Sequence, residues 1–113
     1  MSVDQTVRSY FEAIRARDVE AIRGLFASDA ELCSAFGVVN GADAIATFYA
    51  DYAFQFDDIW PEPGPLIIAG NRVAVEISLT MAGRTSQVAD VFDLTGDKIS
   101  RLAIYGAIER DQA

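Results

Sequence analysis

The chain has 113 residues, of which 51 % are apolar and 23 % charged. That composition fits one ordinary folded domain and leaves no room for a second. Seventeen acidic residues against nine basic ones give a net charge of −8. The charge repels phosphate backbones and anionic lipid surfaces, so neither nucleic acid nor a membrane is an expected partner.

Met1 to Gln5 carries no basic region followed by an apolar run, so no signal peptide is expected, and the longest apolar runs are far too short to span a bilayer. Ser2 followed by Gln5 has the form of a capping box, and Val7, Tyr10, Phe11 and Ile14 follow at helical spacing. Asp18 caps a second helix with Val19, Ile22, Leu25 and Phe26 on its apolar side, ended by Ser28 and Asp29. A short extended piece from Glu31 to Phe36 comes next. Asn40-Gly41 then opens a third helix whose inner face is Ala42, Ile45, Phe48, Tyr49 and Tyr52. Beyond it the period changes to two. Phe54, Phe56 and Trp60 alternate with polar residues before a Pro-rich breaker at 61–65, and Leu66 to Ala69 forms a short strand. From Arg72 to Met81, the side chains of Val73, Val75, Ile77, Leu79 and Met81 share one face, with Glu76 on the other. Ala82-Gly83 turns the chain, and Ser86, Val88, Asp90, Phe92 and Leu94 share a face on the return. After the turn Thr95-Gly96-Asp97, Ile99 to Ile108 is the last strand. Helices first and an antiparallel meander after predict a single α+β domain over residues 1–113, with a pocket between helix 1 and the sheet.

Chemistry is restricted by what is absent. There is no histidine and one cysteine, Cys33. That excludes Ser-His and Cys-His nucleophile pairs, removes the usual metal ligand and leaves no disulfide; a reducing, cytoplasmic compartment fits. No Gly-rich phosphate loop or metal-ligand cluster is visible, so no cofactor and no metal are expected. Cys33 reads as a small buried hydrophobe. Asp57-Asp58 reads as a solvated strand edge.

Two residues stand out. Strand parity places Asp90 between Val88 and Phe92 on an apolar face, where lost hydration disfavours the charged carboxylate and raises its pKa. Such a carboxyl can donate a hydrogen bond or shuttle a proton near neutral pH. The alternative is that Asp90 faces solvent or is capped by a backbone group. Tyr10 lies on the apolar stripe of helix 1, either as an oxyanion donor in a pocket or as a core tyrosine bonded to a carbonyl. Tyr49, Tyr52, Phe54, Phe56 and Trp60 line a cavity or fill a core.

The segments YFEAIRARDVEAI from Tyr10 and LFASDAE from Leu25 resemble the opening of ketosteroid isomerases and SnoaL-like proteins. GADAIATFY from Gly41 resembles their third helix, and VADVF from Val88, GDKI from Gly96 and LAIY from Leu102 resemble their last two strands. The likeness covers nearly the whole chain. It implies an NTF2-like cone: one curved antiparallel sheet wrapped around three N-terminal helices, with an apolar pocket, usually paired as a homodimer. It also implies that Tyr10 and Asp90 face the cavity, at the positions of the isomerases' oxyanion-hole tyrosine and protonated aspartic acid, a known example of a carboxyl held neutral in an apolar site. Ser34 stands where the isomerases keep their catalytic aspartate, which argues against conventional steroid isomerisation. In SnoaL-like cyclases an aspartate of this sheet serves as general acid/base, a role open to Asp90 with Tyr10 beside it. The expectation is proton transfer on a small, mostly apolar carbonyl compound. Asp90 and Tyr10 would be catalytic, and the wall would be formed by Ser34, Tyr49, Phe56, Trp60, Val73, Val75, Ile77, Ser86, Val88, Leu102 and Ile104. A non-catalytic binder of an apolar ligand and a dimerisation scaffold are the other readings.

Overall fold

Helix α1 (Val3–Ala16) begins at Ser2, whose N–H donates to Gln5 Oε1 at 3.1 Å. The contact satisfies a donor that a helix N-terminus would leave free. The helix ends as Arg17 enters the left-handed region at φ 55°, with the N–H groups of Arg17 and Asp18 returning to the carbonyls of Ile14 and Ala13. This double return is a Schellman motif. Asp18 then caps α2 (Val19–Leu25) by accepting from Ala21 N–H at 3.0 Å. These interactions belong to a computed structural model that describes the backbone of residues 2–109 and the side chains of residues 2–106.

Strand β1 (Phe26–Ser34) follows α2 directly and turns back into β2 (Gly37–Asn40). Helix α3 (Ala42–Asp51) and a single 3-10 turn at Ala53–Gln55 lead to β3 (Trp60–Pro63) and β4 (Ile67–Ala69). The long strands β5 (Arg72–Met81), β6 (Arg84–Thr95) and β7 (Lys98–Glu109) complete the chain.

Three differences from the sequence reading have local causes. The second helix stops at Leu25, because Phe26 is already extended and pairs with Ile99 of β7. Phe54 lies in the 3-10 turn rather than on a strand. Cys33 is half-buried on the outer face of the sheet, its thiol donating to Glu31 Oε1 at 3.3 Å.

The sheet order is β2-β1-β7-β6-β5-β3, with β4 also paired to β5. Every junction is antiparallel except β1–β7, which is parallel, so the curved, unclosed sheet is mixed. The parallel junction joins strands distant in sequence, where no hairpin dictates direction. The inner face of β5 and β6 interleaves as Val73 opposite Phe92, Val75 opposite Asp90 and Ile77 opposite Val88. Phe92 is fully buried and packs edge-on against Tyr10 and Phe11 of α1, with ring centroids 5.2 and 6.0 Å away. One end of the cone is therefore filled by side chains. Among the described residues no helix is long and apolar enough to cross a membrane.

Candidate functional site

Beyond Phe92 the helices and sheet part to leave a cavity of about 250 Å³. Its lining is mostly aliphatic and aromatic. The polar groups are few: Asp90, Ser34 and the hydroxyl-bearing Tyr10, Tyr49, Tyr52 and Tyr105.

Tyr10 reaches the cavity from α1 and Tyr49 from α3; each is only 4 % exposed. Their hydroxyls form a short hydrogen bond with each other, in which either can donate. The bond fits the rule that a buried phenol finds a partner. Burial, first of all, raises the pKa of Tyr10 well above that of an ordinary phenol; the nearby Tyr49 and Asp90 and the bond to Tyr49 push it further. Burial likewise raises that of Tyr49, while the bond from Tyr10 acts in the opposite direction. Both phenols are neutral at any physiological pH, and since one O–H donates to the other phenol, one of the two is left to donate to a ligand.

Asp90 approaches from the middle of β6, flanked by Val75 on β5 and Ile104 on β7. It is 4 % exposed, and its Oδ1 has no hydrogen-bond partner among the described residues. Loss of hydration alone lifts its pKa to about 8, because no cation offsets the cost of burying the charge. At neutral pH the group is chiefly a carboxylic acid, able to donate. The cavity's end thus gathers three neutral O–H groups in an apolar setting.

The other expected lining residues divide into two groups. Ser34, Tyr49, Ile77, Val88 and Ile104 line the cavity with Tyr10 and Asp90. Val73, Val75 and Leu102 lie on the correct face but are buried in the core. Phe56 is half-buried and packs edge-on to Tyr52 at 5.5 Å, outside the lining. Trp60 is 45 % exposed and faces outward, with the Arg15 guanidinium 4.7 Å over its ring. The 3-10 turn and the turn at 57–58 reset the alternation, so Pro61 rather than Trp60 points inward. Ser86 pairs with Leu79 near the hairpin and does not line the cavity.

Tyr52, expected from the sequence to line a cavity or fill a core, also lines it. Lining residues that the sequence reading did not select include Phe36, Phe48, Leu79, Met81 and Tyr105. Leu79 and Met81 share the parity of Ile77, and Phe48 shares the inner face of α3, so periodicity could have found all three. Phe36 sits in a turn, where periodicity carries no signal. Among the described residues no three metal-ligating side chains come together.

The SnoaL-like domain family matches residues 7–102, spanning both Tyr10 and Asp90. The chain belongs to the SnoaL-like family. This SnoaL-like protein shares its fold with solved structures of NTF2-like and ketosteroid isomerase-like proteins. A candidate polyketide cyclase from Sinorhizobium meliloti is 22 % identical, with a TM-score of 0.82 over 89 % of this chain and 94 % of its own. A candidate ketosteroid isomerase from Kribbella flavida is 18 % identical, with a TM-score of 0.84 over 98 % and 81 % of the two chains. A protein from Sphaerobacter thermophilus is 26 % identical, with a TM-score of 0.77 over 93 % and 94 %. No curated protein sequence matches the chain.

Proposed function

We propose that this SnoaL-like protein transfers a proton on a small, mostly apolar carbonyl compound. The observation that carries the reading is that the Asp90 carboxyl and the Tyr10–Tyr49 hydroxyl pair line one mostly apolar cavity, near enough for Asp90 to act on Tyr10 electrostatically. A carbonyl oxygen seated against Tyr10 and Asp90 meets donors that are already oriented and dehydrated. As the oxygen gains negative charge in an enolate, those bonds strengthen, which is the condition for lowering a barrier rather than only binding substrate. Among the described residues Asp90 is also the one carboxyl in the lining. In its ionised minority it takes a proton from an acidic carbon while Tyr10 alone holds the carbonyl oxygen, and the carboxylic acid so formed then donates to that oxygen or returns the proton. Tyr10 steadies the intermediate, and Tyr49 holds Tyr10 in place.

Ser34 shapes the choice of substrate. A serine hydroxyl without a base cannot strip an unactivated ketone, so the reading requires a substrate whose C–H is already acidic. The same feature favours a second reading, in which the pocket binds an enolic or phenolic ligand without turnover.

A titration with the fluorescent phenol equilenin tests the donor cluster. Tyr10→Phe and Asp90→Asn are each expected to weaken binding roughly ten- to a hundredfold, the worth of one hydrogen bond to a charged oxygen. Wild-type affinity in both variants overturns the reading. Turnover of an acidic carbonyl substrate that survives Asp90→Asn removes Asp90 as the acid/base and leaves the binder.

A further inference from the structure

Ser34 closes β1 with its side chain in the cavity. The residue before it, Cys33, pairs with Ala103 of β7, and the residue after Ala103, Ile104, pairs with Asp90 of β6. Ser34, Ile104 and Asp90 therefore form one row across three neighbouring strands, all lining the same cavity. Adjacent strands lie about 4.8 Å apart, so the backbones that carry the two polar ends of the row stand roughly 10 Å from each other, with an aliphatic side chain between them.

The chemistry of the two ends differs. The Ser34 Oγ accepts from the Phe36 N–H at 3.2 Å. That contact fixes the oxygen and uses a lone pair. The hydroxyl hydrogen has no acceptor among the described residues, so the group is left as a donor. Among the described residues no acid, base or cation of the lining stands beside it on this row.

We propose that Ser34 is a specificity-determining donor to a second oxygen of the ligand. The first oxygen binds the Tyr10–Asp90 end, and the body between them is flat and apolar. The ligand class is thus a conjugated or aromatic compound with two oxygen functions one fused bicycle apart. This inference rests on the proton-transfer reading for the first oxygen. It gives the serine a positioning role where a catalytic carboxylate would otherwise stand.

Two naphthols separate the two claims. One is 2-naphthol, with a single oxygen; the other is 2,6-dihydroxynaphthalene, whose second oxygen lies at the far end of the bicycle. Both are titrated against wild type, Ser34→Ala, Ser34→Thr and Tyr10→Phe. Ser34→Ala is expected to weaken the diol about tenfold while changing 2-naphthol less than twofold. Ser34→Thr, which keeps the hydroxyl, is expected to retain the diol's affinity. A purely structural role for Ser34 moves both ligands together and overturns the proposal. If Tyr10→Phe weakens both ligands while Ser34→Ala does not discriminate between them, the donor cluster stands and the serine's role falls. If wild type binds neither ligand, both claims fall.

Discussion

Asp90 places function and stability in opposition. Its folded-state pKa is about 8, against an ordinary value of 3.8. Between those values the folded protein holds a proton that the unfolded chain releases, so what Asp90 contributes to stability is greatest below pH 3.8 and is lost as pH rises toward 8. The slope approaches about 1.4 kcal/mol per pH unit within that window. Asp90→Asn is expected to flatten it, which urea denaturation at a series of pH values between 5 and 8 would reveal. An unchanged slope in the variant would mean that the carboxyl is not buried as described. The titration also has a functional face. Affinity for a dinitrophenol that is ionised across the whole range should fall above pH 8, as Asp90 becomes a like charge, and Asp90→Asn should abolish that fall. Sequence parity offered this placement, because Asp90 lies between Val88 and Phe92 on β6, and the resemblance to ketosteroid isomerases favoured it over the solvent-facing alternative. It could not supply the partner across the cavity: Tyr10 and Tyr49 meet only because α1 and α3 lean together.

At the scale of elements, the strands whose alternation is regular were legible to within a residue or two. Arg72–Met81 is such a strand, and the hairpin after it turns at Ala82 and Gly83, at φ 57° and 77°. Those angles suit a type I′ turn, for which alanine is a poor first residue. Ala82→Asn is therefore expected to stabilise the protein by about 1 kcal/mol, visible as a higher Tm; a lower Tm would show that the turn is not of this type. Asp58 braces the same tip, accepting from the N–H groups of Ala82 and Gly83 at 2.9 and 2.8 Å, so it is more than the solvated edge its sequence context suggests. What was not legible has a common cause. Parity says which side of a sheet a residue occupies but not how far along the cone it lies. Val73, Val75 and Leu102 share the face of Ile77 and Ile104, yet they are buried in the core, while the latter pair line the cavity. The aromatic spacing of Phe54 and Phe56 imitated a strand, although Phe54 lies in a 3-10 turn.

For the molecule as a whole, one side chain joins the layers. Phe92 is enclosed by the sheet on one side and by Tyr10 and Phe11 on the other. Phe92→Ala is expected to cost about 3–5 kcal/mol, a large share of the 5–15 kcal/mol typical of such domains. Chemical denaturation measures it directly; a cost below about 1 kcal/mol would mean that the helices hold the cone without it. The α+β order of the elements was legible from the change of period, but the parallel union of β1 with β7 was not, since nothing local encodes a pairing between the chain's early and late segments. That union bears on how the protein is made. During synthesis the three helices and β1 leave the ribosome well before β7 exists. Until β7 arrives, β1 lacks its inner neighbour, and the cavity lacks the wall carrying Ile104 and Tyr105. A nascent chain halted after β6 therefore has an exposed strand edge, and the step that completes the binding site is also the one that closes the fold.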